Sequence, residues 1–125
     1  MYTGDDFRIS FQSAADLRLF QYRAVRVSAE GLVNVASAVT GVSTFLGVLT
    51  NAPNTNEAAE VSISGVTKMV ANGSITAGGL VTHSASGYVT AATSGTPVIG
   101  RALATSSNAN EVIPVLINPV YSATA

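Results

Sequence analysis

Apolar and polar residues alternate with a period of two along much of this chain, most clearly between residues 61 and 81. Residues 61–64 alternate strictly, which is the pattern of a half-buried β-strand. Gly65 then breaks the period, as happens where a bulge re-aims a strand, and Asn72-Gly73 is a turn dipeptide. Alternation resumes over residues 74–77, Gly78-Gly79 closes that run, and Leu80-Val81 begins a further strand. The pattern therefore predicts a β-meander with sharp corners in the middle of the chain.

The segments on either side of this meander share one pattern. Three blocks match in the same order: residues 24–36 with 80–92, 45–49 with 98–103, and 56–63 with 110–117. The first pair contains a strand, a Ser-Ala-x-Gly turn and a second strand in each copy. We interpret this as a structural repeat with copies at about 24–63 and 80–117. The alternative is chance, because Ala, Ser, Thr, Gly and Val make strand-turn-strand units resemble one another.

The N-terminal residues differ from the rest. Residues 7–11 alternate and predict a short strand with a strongly apolar face. Residues 13–16 resemble a helix capping box, which predicts a short helix over residues 14–20 that must lean on other elements. The whole pattern predicts an all-β fold, a small compact β-barrel or sandwich. Its divisions are an N-terminal arm at 1–20, a β domain at 21–117 and a tail at 118–125.

Charged residues are scarce. They make up 10% of the chain, whereas about 25% is usual in soluble domains, and most of them lie in residues 1–30. Interspersed charges normally keep a free monomer soluble, so a skin of Ser, Thr, Asn and Ala suits a protein that packs against copies of something. The alternative interpretation is a rigid secreted β-domain without a partner.

The charge balance and the apolar pattern exclude several classes of partner. The net charge is −1 and no Lys/Arg cluster follows residue 26, which argues against nucleic acid. No apolar run approaches the ~20 residues of a membrane helix. The first residues are acidic and lack the cations and apolar core of a signal peptide. Together with the absence of cysteine, these features predict synthesis and assembly in a cytoplasm.

Catalytic groups are almost absent. His83 is the only histidine, so a multi-histidine metal site is impossible, and no Gly-x-Ser-x-Gly elbow accompanies it. We expect His83 to be a solvent-facing strand residue. Glu57 and Glu111 occupy equivalent places in the two copies, which favours a structural role for both. The sequence predicts no enzyme, no cofactor, and neither catalytic nor metal-binding residues.

An ordered series of short segments resembles a known family. The segments are GVLTNAP at 47–53, EAAEV at 57–61, GVTK at 65–68, ITAG at 75–78 and VIGRAL at 98–103. In this series the chain resembles the small capsid decoration, or cement, proteins of tailed phages, over about residues 7–117. The resemblance implies an all-β protein without enzymatic activity that binds the major capsid protein on the exterior of the virion and stabilises the head. It also implies a homo-oligomer, with a trimer favoured and a monomer or dimer possible.

The N-terminal arm is the candidate for contact with the shell, because its composition differs from that of the body. The candidate residues are Phe7, Arg8, Ile9, Phe11 and Arg18. The alternative is that residues 7–20 merely add a strand and a helix to the same domain. Two other functions remain open. A phage fibre or adhesin domain would show longer repeats or a stalk, and a carbohydrate-binding module would expose several Trp or Tyr side chains on one face.

Overall fold

The computed structural model of the protein describes residues 6–36, 45–93 and 98–118. These residues form nine β-strands and one 3-10 turn, Ala85–Gly87. The strands are β1 (Asp6–Ser13), β2 (Ala24–Ala29), β3 (Leu32–Val35), β4 (Phe45–Leu49), β5 (Ala58–Asn72), β6 (Leu80–His83), β7 (Val89–Ala91), β8 (Gly100–Ala102) and β9 (Ala109–Ile117). The predicted all-β fold is confirmed.

The strands belong to one sheet that closes on itself twice. Its order is β1-β3-β2-β4-β5-β7-β6-β8-β9, with additional pairings of β1 with β5 and of β5 with β9. The first barrel consists of β1 to β4 and residues 58–65 of β5. The second barrel consists of residues 65–72 of β5 and β6 to β9. The long strand β5 is therefore a wall of both barrels.

The two barrels repeat one topology. β1 pairs in parallel with β3, and β5 pairs in parallel with β7, whereas the other pairings are antiparallel. Backbone details recur at matching positions. Asn56 and Asn110 both have positive φ, at 68° and 70°. Glu57 and Glu111 each accept a hydrogen bond from the backbone N–H three residues earlier, at 2.7 and 2.9 Å, so both carboxylates serve local structure.

Two glycines allow close strand approach at matching places. Gly47 in β4 and Gly100 in β8 are both buried. A Cβ at Gly47 would overlap the carbonyl oxygen of Ser62, and one at Gly100 would overlap that of Leu116. The neighbouring strand backbone thus occupies the space that a side chain would need in each barrel.

Each barrel encloses an apolar core. The core of the first barrel is made of Leu17, Val25, Val33, Leu49, Ala59 and Val61. The core of the second barrel includes Met69, Ala71, Ile75, Val81, Val89, Ile99, Ala102, Ile113, Val115 and Ile117. Ala24, Phe45 and Val48 belong to this second cluster although they lie on strands of the first barrel. The two barrels consequently pack against each other through β2 and β4.

Strand β1 is an integral part of the first barrel. It pairs with β5 from Asp6 to Gln12 and with β3 at Gln12 and Ser13. In its described residues, the predicted arm at 1–20 is therefore not a separate extension. Residues 1–5 lie outside the described part of the chain, as does the predicted tail apart from Asn118, whose N–H donates to the Ile99 carbonyl at 2.9 Å.

The predicted helix over residues 14–20 is wrong, because this segment forms turns. A capping box needs the Ser13 hydroxyl to accept from a backbone N–H of the first helical turn. Instead, Ser13 Oγ donates to the Ala15 carbonyl at 2.5 Å. The Asp16 carboxylate accepts from the Arg18 backbone N–H at 3.1 Å, and Leu17 N–H donates to the Pro53 carbonyl at 2.9 Å. These bonds replace the helical ladder.

The predicted meander at 61–81 is only partly present. β5 runs without interruption through Gly65, whose φ of 93° is accessible to glycine at little cost. At this residue β5 passes from one barrel to the other, since Gly65 lies opposite both Asp6 and Ile117. Residues 74–77 do not form a strand and contribute one isolated bridge, from Ile75 to Ser106.

Candidate functional site

Strand β1 exposes two of the three apolar candidate residues. Phe7 is 59% exposed and Ile9 is 39% exposed. Phe11, on the same strand, is half-buried and packs against the core of the first barrel. Because β1 is hydrogen-bonded along its length, Phe7 and Ile9 are held on a rigid element. Phe11 is a structural residue.

Arg8 is neutralised by its neighbours. Its Nε lies 2.8 Å from Asp6 Oδ2, and its Nη1 lies 3.4 Å from Glu60 Oε1. The hydrogen bond to Asp6, followed by the weaker attraction of Glu60, raises the pKa of the Arg8 guanidinium. This part of β1 therefore offers an exposed apolar pair beside a compensated charge, rather than a cationic surface.

Arg18 lies in the turn after β1 and has different partners. Its Nε and Nη2 donate to the two carboxylate oxygens of Asp16 at 2.9 and 2.8 Å. These hydrogen bonds lower the pKa of Asp16 to about 2. The adjacent Leu19 is largely exposed. The structure thus places Phe7, Arg8 and Ile9 together on one strand and Arg18 in a separate ion pair on a turn.

Arg23 joins the two barrels. Its guanidinium carbon lies 4.1 Å from the centre of the Tyr88 ring and 5.0 Å from that of the Phe20 ring. Its Nη1 also donates to the Ser86 carbonyl at 3.4 Å. Since Tyr88 and Ser86 belong to the second barrel and Phe20 to the first, this arginine is a structural bridge.

The prediction that His83 faces solvent is wrong. The imidazole is buried and stacks on Phe45, with ring centres 6.0 Å apart and an interplanar angle of 21°. The alternation of β6 did not reveal this, because the residue is covered by β4 of the other barrel. Among the described residues, no three His, Cys, Asp or Glu side chains are grouped so that they could hold a metal ion.

A groove of about 690 Å³ lies where the barrels meet along β5. It is lined by Asp6, Arg8, Tyr22, Thr50, Val66, Thr67, Lys68, Val112, Ile113 and Pro114. Lys68 Nζ lies 5.9 Å from the centre of the Tyr22 ring, within the range of a cation–π contact. The side chains that line the groove include one carboxylate, from Asp6, and two cations, from Arg8 and Lys68, among apolar groups. This composition suits contact with the surface of another protein.

Sequence reasoning missed the outer face of the second barrel. On β9, Val112, Pro114 and Leu116 point away from the core that Ile113, Val115 and Ile117 fill. Leu116 is 40% exposed, and Leu80 on β6 is 45% exposed. The signal was present, because the unbroken apolar run at 112–117 must place apolar residues on both faces of its strand.

The family of the chain follows from comparison with known proteins. A model of the phage cement protein family matches residues 17–117, so the chain belongs to that family and is a structural protein of the phage capsid. Comparison with curated proteins finds no match. Among solved structures, the fold is similar to the N base of the head fiber gp8.5 of bacteriophage phi29, with a TM-score of 0.68 and 13% sequence identity. That likeness covers 91% of this chain and 95% of the other.

The family resemblance stated from the sequence is thereby confirmed. The neighbour at 13% identity supports the fold alone. In the described residues there is no helix long and apolar enough to cross a membrane.

Proposed function

We propose that this protein binds the outer surface of the assembled major capsid shell and stabilises the head without catalysing a reaction. The observation that carries this proposal is the exposed pair Phe7 and Ile9 on the rigid strand β1, in a chain that belongs to the phage cement family. Because the barrel already fixes the backbone that carries these side chains, binding does not have to order that backbone.

The contact is centred on Phe7 and Ile9, and the side chain of the intervening Arg8 lies at its edge, on the other face of the strand. Phe11 supports the strand from within the barrel, and Arg18 contributes only through its pair with Asp16. Since Arg8 is compensated by Asp6 and Glu60, the attachment depends weakly on salt. No nucleic acid and no membrane takes part.

Stabilisation follows from mass action. A protein that binds the assembled shell and not its dissociated subunits stabilises the shell by about 2.7 kcal/mol per site at a hundredfold excess over Kd. Each bound unit must touch at least two shell subunits, which a homo-oligomer provides. We favour a trimer, with a monomer or a dimer as the alternatives.

The test uses purified heads that lack the protein. Wild-type protein should saturate the heads and raise the temperature at which they release DNA. Phe7→Asp and Ile9→Asp should each weaken binding by ~30-fold or more, as expected when a charge enters an apolar hot spot. Both positions are exposed, so the variants should keep the wild-type circular dichroism.

Leu19→Asp is the matched control, because Leu19 is exposed in a turn outside β1. It should bind heads as the wild type does. Full saturation by both β1 variants would reject this contact surface, and equal DNA loss with and without wild-type protein would reject the stabilising role.

A second candidate function is the base of a fibre on the phage head, because the fold resembles that of the phi29 head fiber base. Images of intact particles distinguish the two. A cement protein covers the head as compact density at regular positions, whereas a fibre base carries a projection.

A further inference from the structure

The two barrels are held together by a contact between two surfaces, one on each barrel. Each of these surfaces has an equivalent on the opposite barrel. Ala24, Val48 and Ser62 lie side by side on β2, β4 and β5, on the outside of the first barrel. All three are fully buried. The turn between β6 and β7 packs on this row, since a Cβ at Gly87 would lie 2.6 Å from the Ala24 carbonyl oxygen. We call the row the receiving face and the turn the docking turn.

The second barrel has its own copy of the receiving face. Leu80, Arg101 and Leu116 lie side by side on β6, β8 and β9 in the same register as Ala24, Val48 and Ser62. Leu80 is 45% exposed, Leu116 is 40% exposed, and Arg101 is also exposed. In the described chain, then, the row that is buried on the first barrel is open to solvent on the second.

The first barrel has its own copy of the docking turn. Gly31, between β2 and β3, has a φ of 73°, matching the 77° of Gly87. A Cβ at Gly31 would meet no described atom within 4 Å, whereas one at Gly87 would collide with Ala24. Val27 occupies the place that His83 has in the second barrel, and it is 52% exposed where His83 is buried. This turn is therefore formed, and no described residue covers it.

We propose that copies of this chain associate head to tail, with the docking turn of one copy (residues 27–32) on the receiving face of the next (Leu80, Arg101 and Leu116). The occupant is a second copy because the chain already makes this contact internally, between surfaces of the same backbone geometry. The charges also match, since Glu30 stands beside Gly31 in the turn and Arg101 lies within the face. The apolar groups that would be buried are Val27, Leu80 and Leu116.

Such an interface joins two different surfaces, so an open oligomer retains one free turn at one end and one free face at the other until a ring closes. A two-fold dimer would instead use one surface twice. This inference rests on the homo-oligomer of the proposed function but not on shell contact through β1. The test of self-association uses no phage heads, so a negative result would not affect the proposed shell contact. Likewise, a negative result in the head-binding test would not affect the proposed self-association.

The experiment uses sedimentation velocity and native mass spectrometry of the full chain up to millimolar concentration. Wild-type protein should form a closed oligomer. Val27→Asp and Leu80→Asp should each weaken self-association by ~30-fold or more. The first places an unpaired carboxylate in the buried contact, and the second removes an apolar contact and draws Arg101, its cross-strand neighbour, away from Glu30 of the other copy. Leu19→Asp should associate as the wild type does.

Mixing the two variants separates head-to-tail association from a two-fold contact. The Val27→Asp copy keeps an intact receiving face, and the Leu80→Asp copy keeps an intact docking turn. An equal mixture should therefore form a one-to-one heterodimer and go no further. Formation of that heterodimer also proves that both variants are folded.

A wild-type protein that remains monomeric throughout this range would overturn the proposal. So would unchanged association of either variant, or a mixture that stays monomeric while both variants retain the wild-type circular dichroism. A cross-link gives a second readout, since the chain has no cysteine of its own. Glu30→Cys combined with Leu80→Cys should give disulfide-linked oligomers under mild oxidation, and Leu19→Cys with Leu80→Cys should not.

Discussion

The two barrels share one topology but present different outer surfaces along their common wall. Where β1 pairs with β5, the outward pairs are Arg8 with Ser62, Ser10 with Glu60, and Gln12 with Ala58. Where β5 pairs with β9, the equivalent pairs are Val66 with Leu116, Lys68 with Pro114, and Val70 with Val112. The first surface is polar and the second is largely apolar. The inward positions are mostly apolar in both barrels, so the two barrels keep the same fold although their outer faces differ.

The largest expected loss of stability comes from truncating a buried side chain that occupies an equivalent place in each barrel. Leu17 and Ile75 are both buried, and their N–H groups donate to the carbonyls of Pro53 and Ser106, each at 2.9 Å. Leu17→Ala and Ile75→Ala should each lower the free energy of unfolding by ~2–5 kcal/mol. Because β5 is a wall of both barrels, urea should unfold each variant in a single transition, by both fluorescence and circular dichroism.

Ser64→Ala, at an exposed position of β5, is the control and should leave the urea midpoint nearly unchanged. Two separated transitions in either core variant would show that the barrels unfold independently, and would refute the role given to β5.

A smaller effect is expected at the bridge between the barrels. Arg23 lies against Tyr88 and Phe20, and the matching position of the second barrel is a glycine, Gly79. Arg23→Ala should lower the free energy of unfolding by about 1 kcal/mol, the size of a partly desolvated cation–π contact. Arg23→Lys keeps the charge but not the flat guanidinium, so its free energy of unfolding should lie between those of the wild type and Arg23→Ala. Equal urea midpoints for wild type and Arg23→Ala would contradict the bridge.

The smallest effect concerns the exposed pair of Asp16 and Arg18. The hydrogen bonds from Arg18 lower the pKa of Asp16 to about 2 from the 3.8 of an unperturbed carboxyl. The pair therefore stabilises the fold at pH values above about 4, and this contribution is lost as the pH falls toward 2. Because the pair is solvent-exposed, the contribution is small and screened by salt.

Thermal unfolding of wild type and Asp16→Asn checks this pH dependence. The wild type should be slightly more stable at neutral pH and low salt, and the difference should vanish near pH 2. A difference that persists at that pH would mean that Asp16 acts through something other than its charge.

The sequence supported the class of fold because alternation of period two reports which side of a strand is buried. It could not show that the sheet closes twice, since closure depends on pairings such as β1 with β5 that join residues far apart in the chain. The prediction of a helix over residues 14–20 was wrong because Ser13 and Asp16 form local hydrogen bonds that the capping-box pattern does not predict. The prediction for His83 was wrong because the side chain that covers it, Phe45, belongs to the other barrel.

The candidate surface was predicted in part. The apolar face of residues 7–11 was correctly recognised, but Phe11 belongs to the core, and alternation alone cannot distinguish the buried end of such a strand from its exposed end. Contact of Phe7, Arg8 and Ile9 with the shell stays a prediction. The exposed row of Leu80, Arg101 and Leu116 was missed, because it becomes visible only when the same row on the first barrel is seen to be covered.

The double closure of the sheet also bears on the scarcity of charge. Open β-sheets carry a row of unpaired N–H and C=O groups at each border, and many proteins place lysines there to prevent strands of neighbouring molecules from adding to the sheet. Here the border strands β1 and β9 both pair with β5, so one side of each is covered, and β3 and β8 cover only the ends of their other sides. Closure therefore shortens the strand edges that remain free to pair with a neighbouring molecule, which reduces the need for charged residues to protect them.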